Sequence, residues 1–458
     1  MFKLKLESSS MKSSRLCIAI SLLGAAAMSN GARADSIQVE KGASLDGQVP
    51  SFAGIQPVPS GWAYGKVREQ FWPHKGEKPL YAVTAKNADK YADALSPGQQ
   101  ELLKSRPGYR MDVYPSHREC GFPEWMQTNM KTNASKAALD KNGEYLRTAD
   151  LPGLPFPEPK SGAQALWNHL MRYRGVGMVW PKMVTAVSPR PGGSQWIVAE
   201  SKDSVYYPWG KKGTTPVDKV GMQYGLFSQY DTPAALAGQG LVQRYYFDKP
   251  NDTYYYFTGQ RRVRRMPSYS YDAPQIGFEN EYTIDETSLF SGAIDRFDWK
   301  LVGKKSLLVP YNNFGMYNFS AKFDSVFKPT GVDPAYRRYE MHRVFVVEGL
   351  LKPDARHLAA KKVFYIDEDS GLILAGEDYD AQGKLWKVKE GYSIPVWELG
   401  GTCDTEAFVQ YDIANGRYVT DVSTIGSGSD IHWFPESDDA KFKSDFYTSD
   451  NLKSISER

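Results

Sequence analysis

The segment QRYYFDKPNDTYYYFTGQRRVRR, from Gln243 to Arg265, alternates aromatic runs with short polar stretches that contain Pro, Asn or Gly. Aromatic residues favour β-strands, whereas Pro, Asn and Gly between two such runs favour turns. Similar units occur in KKVFYIDEDSGLILAGEDYDAQGKLWKV, which starts at Lys361, and in FVQYDIANGRYVTDV, which starts at Phe408. Their spacing is irregular, which argues against a solenoid or a propeller. The pattern therefore predicts consecutive hairpins of an antiparallel sheet.

A capped helix is predicted upstream of these hairpins. In SGAQALWNHLMRYRG, Ser161 and Gln164 are spaced as a capping box, and Gly175 marks the expected end. Leu166 and Leu170 lie on one apolar stripe at helical spacing. The sequence thus predicts an α+β protein, mainly β. Its sheet is large, antiparallel and curved as in an incomplete barrel, and several helices, this one included, pack on the concave face.

An export signal is predicted at the N-terminus. Lys12 and Arg15 precede the apolar run LCIAISLLGAAAM, and GARAD then supplies an Ala-x-Ala site. This is the pattern of a secretory signal peptide over residues 1–34, with cleavage after Ala34. A membrane anchor is the alternative, although the apolar run is shorter than the roughly 20 residues that span a bilayer.

Residues 35–458 are predicted to form a single domain. Apolar content of 41% and charged content of 24% in the whole chain are typical of a globular protein and exclude a largely disordered one. Residues 35–178 are rich in coil and short helices, and residues 179–458 carry the hairpin pattern. We expect one continuous sheet from about residue 179 to 425.

The cysteines favour one disulfide. Of three cysteines, Cys17 lies in the predicted signal peptide, which leaves Cys120 and Cys403 in the exported chain. An even number of cysteines in an exported protein favours a bridge between them. The alternative is two separate buried thiols. Because there is no CxxC motif and no Cys/His cluster, neither a redox site nor a structural zinc site is predicted.

Four arginines, Arg261, Arg262, Arg264 and Arg265, surround Val263 in the last strand of the opening segment. Alternation places arginines on both faces of this strand, which is typical of an edge where guanidinium groups reach solvent. Nucleic-acid binding is not predicted, because the net charge is only +3 and no nucleic-acid motif occurs.

The role of this arginine strand is open between two interpretations. In the first, its arginines pair with carboxylates on neighbouring strands, such as those of Asp367, Glu368, Asp369 and Asp378. In the second, they contact an anionic ligand head or the acidic loop of a partner. We expect Val263 to face inward, with one arginine pair buried and ion-paired and the other pair exposed.

No sequence motif assigns a catalytic, cofactor or metal site. GxSxG, HExxH, P-loop and GxGxxG motifs are absent in the contexts that they require. The acidic turn at Asp367–Asp369 lacks the spaced oxygen ligands and the Gly of a calcium loop, so we interpret it as a hairpin turn. The histidines are dispersed, and His169, beside the apolar stripe of the helix, is expected to be packed and hydrogen-bonded.

Seven segments, in order, resemble the bacterial family called domain of unknown function 1329 (DUF1329), also labelled outer-membrane lipoprotein-sorting protein. They are LSPGQQELLK, YRMDVYPSHR, LPFPEPKSGAQALWNHLMRYRG, GQRRVRRMPSYSYD, DRFDWKLVGKKSLLVPYN, RYEMHRVFVVEGLLKP and FYIDEDSGLILAGEDYD. The family is similar to the LolA, LolB and LppX superfamily, whose fold is an incomplete antiparallel barrel closed by helices around an apolar cavity. The resemblance covers nearly all of the mature chain and implies this fold. Cys120 and Cys403 are not part of the family pattern.

The resemblance implies a non-enzymatic periplasmic protein of the Gram-negative envelope that binds or shuttles a lipid or other hydrophobic small molecule. Family members are encoded beside exporters of the resistance-nodulation-division (RND) type. The implied partners are therefore an inner-membrane RND transporter and an outer-membrane protein, and no cofactor is implied. Two alternatives stay open: a periplasmic adaptor that binds a transporter without cargo, and an enzyme that acts on an envelope glycan or lipid.

The same resemblance suggests where a ligand binds. The predicted ligand-binding residues are Trp167 and Leu170 on the helix and Tyr254 and Tyr256 on the sheet. Aromatic side chains with polar tips suit the half-wet walls of such a cavity. The arginine strand then becomes the predicted contact for an anionic head group or for a partner protein.

Overall fold

Short elements build the N-terminal part of the fold. The computed structural model describes residues 58–457, so the predicted signal peptide and its cleavage site lie outside the described residues. In chain order the elements are β1 (Tyr81–Val83), α1 (Pro97–Ser105), β2 (Met111–Val113), α2 (Glu124–Lys136), β3 (Ala138–Leu139), β4 (Leu146–Thr148), β5 (Asp150–Leu151) and α3 (Gly162–Leu170).

Longer strands dominate the rest of the chain. The first group is β6 (Gly177–Val187), β7 (Ile197–Tyr206), β8 (Thr215–Pro216), β9 (Tyr224–Thr232), β10 (Gly240–Tyr245), β11 (Asp252–Phe257) and β12 (Arg262–Arg265). The second group is β13 (Phe297–Pro310), α4 (Phe323–Val326), β14 (Phe327–Lys328), β15 (Gly331–Val332), β16 (Tyr339–Leu351), β17 (Lys361–Asp367), β18 (Ile373–Tyr379), β19 (Leu385–Gly391), β20 (Ile394–Val396), β21 (Thr402–Asp404), β22 (Phe408–Asp412), β23 (Tyr418–Ser423), β24 (His432–Phe434) and α5 (Ser449–Ser456).

Sixteen strands of the described residues form one sheet. Their order is β1-β2-β16-β17-β18-β19-β22-β23-β6-β7-β9-β10-β11-β12, with β13 beside β16 and β24 beside β6. Neighbours are antiparallel except β2 and β16, which pair in parallel at Val113 and Tyr339. The hairpin prediction is confirmed, but its start near residue 179 is too late, because β1 and β2 also join the sheet. These two strands have three residues each, too few for alternation to reveal them.

The centre of the sheet joins distant parts of the chain. β6 pairs with β23, where Val187 is opposite Val419, and with β24, where Gly177 is opposite Phe434. The hairpins from β6 to β12 and those from β16 to β23 are thereby joined side by side. Nothing in the local sequence announces this pairing, since it depends on strands that lie at opposite ends of the β-rich region.

The sheet curves around α3. This helix packs against β13, β16 and β17, and its last residue, Leu170, faces a cavity whose opposite wall includes β9 and β10. Because these strands are far apart in the order of the sheet, the sheet must bend to reach the same helix from both sides. A mainly β fold with a curved antiparallel sheet, open rather than closed into a barrel, is thus confirmed, with α3 on the concave face. Among the described residues, no helix has both the length and the apolar character to cross a membrane.

α3 starts as predicted and ends early. Ser161 Oγ accepts a hydrogen bond from the Gln164 N–H at 3.2 Å, while the Gln164 side chain accepts from Lys160 rather than from Ser161. The helix stops at Leu170, five residues before Gly175. Gly175 has φ of +65°, and a Cβ there would lie 2.1 Å from the Phe434 carbonyl oxygen. This glycine therefore permits the close approach of the chain to β24 and does not cap the helix.

A disulfide joins Cys120 to Cys403, which are 283 residues apart in sequence. It ties the segment before α2 to β21, within an apolar cluster that includes Val344 and Tyr365. Val344 and Tyr365 alternate along their strands with residues of the main core that surrounds α3. The bridge therefore lies on the convex face of the sheet, opposite the helix.

Candidate functional site

A cavity lies on the concave face, between β6, β7, β9 and β10 and the segment that follows β12. The first wall is formed by inward side chains of these strands, and the second by the end of α3 and by residues 275–291. The space between the walls, including the part that is continuous with solvent, measures about 930 Å³. Apolar side chains form most of the middle: Leu170, Met178, Trp180, Val205, Leu226, Leu241, Phe278 and Ile284.

Strand register aligns the lining residues in rows across the sheet. Val205 of β7 is opposite Leu226 of β9, and Asp203 is opposite Ser228. Ser228 is in turn opposite Leu241 of β10. Since side chains two residues apart point to the same face, an apolar row at Val205 lies beside a polar row at Asp203. The cavity is therefore apolar in the middle and polar at one side.

One end of the cavity carries buried arginines. Arg174 Nε donates to Asp404 Oδ2 at 2.9 Å, and its guanidinium also pairs with Glu406. Tyr207 accepts a further hydrogen bond from Arg174 at 2.8 Å. Burial, together with the nearby charge of Arg174, lowers the pKa of Arg172 to about 10. This end is fixed by ion pairs within the protein, yet Arg172, Arg174 and Glu406 all line the cavity.

His169 supports this end of the cavity from behind. It is fully buried, its Nδ1 accepts from the Ile373 N–H at 3.1 Å, and its Nε2 donates to the Phe290 carbonyl at 3.2 Å. Burial and the adjacent Arg172 hold its pKa well below the ordinary value. The structure confirms the prediction of a packed, hydrogen-bonded histidine.

Two buried carboxyl groups lie at the polar side of the cavity, Asp203 on β7 and Asp421 on β23. Asp203 Oδ2 accepts from Ser201 Oγ at 2.5 Å, and Asp421 Oδ2 accepts from the Tyr282 hydroxyl at 2.5 Å. Burial raises the pKa of Asp203 to about 7, with the charge of Asp421 as a further cause, and burial also raises the pKa of Asp421. Four residues separate Asp203 from Tyr207, about 13 Å along the strand at 3.3 Å per residue. The cavity thus has an acidic side and an arginine end on either side of an apolar middle.

Trp180 presents an unused hydrogen-bond donor. It lines the cavity, and only 2% of its surface is exposed. Within residues 58–457, its indole N–H has no hydrogen-bond partner. A buried donor without an acceptor is costly, so a ligand with an acceptor group at this position would remove that cost.

Only one of the four predicted ligand-binding residues lines this cavity. Leu170 does, whereas Trp167 is buried behind the wall, where its N–H donates to the Glu144 carbonyl at 2.7 Å. Tyr254 and Tyr256 lie on the convex face and pack near Leu452 of α5. Because side chains alternate, Tyr255 lies on the face that the prediction had assigned to its neighbours. Tyr254 and Tyr256 are therefore not cavity residues.

β12 is the outermost strand beside β11, as predicted for an edge. Val263 is opposite Tyr256 and is partly buried against the cluster around α5 on the convex face, so it does not face inward as expected. All four arginines are exposed, so the expected buried pair does not exist. The physical reason is that an outermost strand leaves both of its arginine-bearing faces open to solvent. Arg265 pairs with Asp252 at 2.6 Å. In the described part of the chain, Arg261, Arg262 and Arg264 have no ion pair.

Three of the four carboxylates named as partners of the arginine strand pair elsewhere, and the fourth, Asp367, accepts hydrogen bonds from Ser370 and Tyr311. Asp369 binds Arg118, Glu368 binds Arg343, and Asp378 binds Lys362 and Lys389. These acids lie on β17 and β18 or between them, several strands away from β12 in the sheet. The pairing predicted with them is therefore wrong.

Asp203, Asp421 and Trp180 were not found from the sequence. In ESKDSVYY five consecutive polar residues precede Val205, which is typical of a strand that faces solvent. Only the polarity of both alternating sets, Ser201 and Asp203 against Lys202 and Ser204, hints that a polar row points inward. Residues 275–291 of the second wall contain four of the eight non-glycine residues with positive φ in the described chain, which are Glu279, Asn280, Ser288 and Leu289.

Comparison with known proteins places the chain in a family. Residues 82–453 match the family model described as "Protein of unknown function (DUF1329)". An uncharacterized protein of Pseudomonas aeruginosa is 34% identical over 387 residues, which is 83% of this chain and 83% of that protein. A solved DUF1329 family protein from Desulfovibrio piger is 15% identical with a TM-score of 0.40, covering 60% of this chain and 92% of that one. A LolA superfamily protein from Nitrosomonas europaea is 10% identical with a TM-score of 0.36, covering 64% and 99%. Since the family model spans most of its length, this chain belongs to the DUF1329 family.

Proposed function

We propose that this protein is a non-enzymatic periplasmic carrier that binds a lipid or another hydrophobic small molecule in the concave-face cavity. The observation that carries the proposal is the cavity itself, with an apolar middle between an arginine end and an acidic side. An amphipathic molecule matches this order of surfaces, because its apolar part leaves water while its polar group finds fixed partners. The export-signal pattern of the sequence supports the periplasmic location.

The apolar contribution can be bounded. A ligand that buries roughly 400 Å² of apolar surface gains about 10 kcal/mol at ~25 cal/mol per Å². Association costs at least about 4 kcal/mol, so apolar burial alone gives a dissociation constant of tens of micromolar at the tightest. Hydrogen bonds to Trp180 or Asp203 would then decide which molecule binds more tightly than this.

The two buried acids offer acceptor oxygens to a polar group of the ligand. Asp203 and Asp421 both accept hydrogen bonds from protein hydroxyl groups, those of Ser201 and Tyr282 among them. An enzyme acting on an envelope lipid or glycan would instead release a changed molecule, which mass spectrometry of the bound and released ligand would detect.

The carrier proposal is tested by probe displacement. An apolar fluorescent probe should bind the purified protein and be displaced by an extract of envelope lipids. Leu241→Trp fills the cavity and should weaken probe binding at least tenfold. Leu350→Trp, at a position that is 50% exposed and absent from the cavity lining, is the matched control and should change little. Absence of probe binding, or equal binding by both variants, would contradict the proposal, and mass spectrometry of co-purifying lipids would identify the cargo.

A second candidate function rests on the edge strand. Arg261, Arg262 and Arg264 are exposed and unpaired in the described residues, and arginine pairs bind carboxylate or phosphate in a fork that lysine cannot reproduce. An adaptor would use them to bind an acidic loop of an RND transporter or an outer-membrane protein. The double variant Arg262→Lys/Arg264→Lys should then weaken binding of a purified partner while melting temperature and probe binding stay unchanged. Unchanged binding of the partner would contradict the adaptor function, and the arginines would then only keep the edge strand solvated.

A further inference from the structure

A second polar cluster lies on the convex face, away from the cavity. His342 is on β16, Asp367 ends β17, and Asp369 is in the turn that follows. Val344 is opposite Asp367 in the ladder, so continuing the register places His342 beside the turn and on the same face. All three side chains are buried, and each offers a nitrogen or oxygen atom within 4.8 Å of the other two. Three elements of the chain thus direct one nitrogen donor and two carboxylates to a single point.

The imidazole of His342 is oriented by its surroundings. Its Nε2 lies 3.1 Å from Glu340 Oε2. Glu340 accepts from Arg338 Nε at 2.6 Å and from the His117 N–H at 2.8 Å, so it is an acceptor and His342 Nε2 carries the proton. The lone pair of the ring is therefore on Nδ1. The ring of Tyr311 stacks on His342 at 3.7 Å and fixes its plane. An outer N–H held by a carboxylate is the usual support of a metal-bound histidine.

The carboxylates of Asp367 and Asp369 leave one oxygen without a hydrogen-bond donor and one negative charge without a cation. Asp367 Oδ2 accepts from the Ser370 N–H at 2.9 Å and from the Tyr311 hydroxyl at 3.3 Å. Oδ1 of Asp367 is buried with no hydrogen-bond partner in the described residues. Both oxygens of Asp369 bind the guanidinium of Arg118. Two carboxylates against one guanidinium leave a buried negative charge, which is costly unless a cation compensates it.

We propose that His342 Nδ1, Asp367 Oδ1 and one oxygen of Asp369 bind a divalent transition-metal ion of the Zn²⁺ type. A mixed nitrogen and oxygen donor set suits Zn²⁺, whereas Ca²⁺ prefers oxygen ligands alone. Donor atoms at about 2.1 Å from one ion lie up to about 4.2 Å apart, so a small inward shift of the side chains closes the site. The ion would pin the turn at Asp369, and through Arg118 the disulfide-bearing segment, to β16. This site is independent of the proposed carrier function.

A nearby cluster of His74, Glu77 and His117 fits a metal less well. His117 Nε2 and His74 Nδ1 lie 2.7 Å and 3.2 Å from the same oxygen, Glu77 Oε1. The two imidazole rings are stacked 3.6 Å apart with 20° between their planes. Lone pairs lie in the ring planes, so two stacked rings cannot direct them to one ion without rotating. This cluster therefore serves as the internal control.

Equilibrium dialysis of the chelator-treated protein against Zn²⁺ tests the proposal. We expect about one Zn²⁺ per chain by elemental analysis and a higher melting temperature in the loaded form. His342→Gln and Asp367→Asn should each weaken binding at least tenfold, whereas His74→Gln should bind as the unchanged protein does. Glu340→Gln keeps the packing but removes the carboxylate behind His342, and it should weaken binding about tenfold or more.

The outcomes separate clearly. A wild-type protein that binds no Zn²⁺ after dialysis overturns the proposal, as does binding that survives His342→Gln or disappears in His74→Gln. Circular dichroism establishes whether each variant is folded. If His342→Gln or Asp367→Asn does not fold, two other measurements test the site. The site is refuted if Glu340→Gln binds Zn²⁺ as tightly as the unchanged chain, or if Zn²⁺ does not change the melting temperature of the unchanged chain.

Discussion

Replacing Asp203 with Asn should stabilise the protein at alkaline pH more than at acidic pH. Asp203 lies in the polar row of the cavity, and its carboxyl group is buried. Burial raises its pKa from 3.8 to about 7, so the folded protein holds a proton that the unfolded chain releases above about pH 4. The stability of the unchanged protein therefore falls as pH rises through this window and levels off above the folded-state pKa. Asn does not ionise and removes this dependence.

The magnitude follows from the two pKa values. Each pH unit between them contributes about 1.4 kcal/mol of differential stability. Between pH 5 and pH 8, two units lie inside the window, so the unchanged protein should lose about 3 kcal/mol that Asp203→Asn does not lose. The loss of the hydrogen bond from Ser201 affects the variant at both pH values, and it largely cancels in the difference between them.

Urea unfolding of both proteins at pH 5 and pH 8 measures this difference. Other buried groups titrate in both proteins and cancel in the comparison. Asp218→Asn changes a carboxyl group whose side chain is 58% exposed, and it should leave the pH dependence unchanged within about 0.5 kcal/mol. If Asp203→Asn behaves like this control, the carboxyl is hydrated, and the acidic side of the cavity is open to water rather than enclosed.

Three further predictions concern the scaffold. The double variant Cys120→Ser/Cys403→Ser should lose roughly 4–5 kcal/mol of unfolding free energy in urea, because the bridge closes a very long loop. Gly175→Ala should lower the melting temperature and cost about 1–3 kcal/mol or more, since its Cβ would meet the Phe434 carbonyl at 2.1 Å. Arg68→Met should cost about 3–5 kcal/mol in chemical denaturation, because it leaves two buried carboxylates, which now lie 2.7 Å and 3.4 Å from its guanidinium, without their cation. Values near zero in any of these would contradict the corresponding contact.

The local sequence pattern was sufficient to predict where strands form, but not which face of the sheet each side chain occupies. The aromatic runs and turns around Tyr254 predicted the β10–β11–β12 hairpins, because strand and turn preferences act over a few residues. Which face Tyr254 occupies depends on its register with Val242 and on where α5 packs. A sequence read by itself cannot choose between two faces that both carry aromatic residues.

The polar lining of the cavity was hidden for a related reason. A strand with consecutive polar residues usually faces water, so nothing in the local sequence marks Asp203 and Ser201 as buried. They are buried because the segment after β12 returns across the concave face, and that return is set by long-range packing rather than by its own sequence. The edge position of the arginine strand, in contrast, followed from its composition, whereas the expected burial of one arginine pair did not occur.

The pairing of β6 with β23 and β24 has a consequence for biogenesis. If the chain is exported as we propose, N-terminus first, β6 to β12 emerge while β23 and β24, the partners of β6, are still inside the translocation channel. Val187 cannot pair before Val419 emerges, and Gly177 cannot pair before Phe434 emerges. One side of β6 therefore stays unpaired until the last part of the chain has emerged. Unpaired strand edges invite association with other chains. On the proposed export route the sheet is therefore completed only when the last strands arrive, and we expect the yield to depend on factors that hold the incomplete chain more than its final stability would suggest.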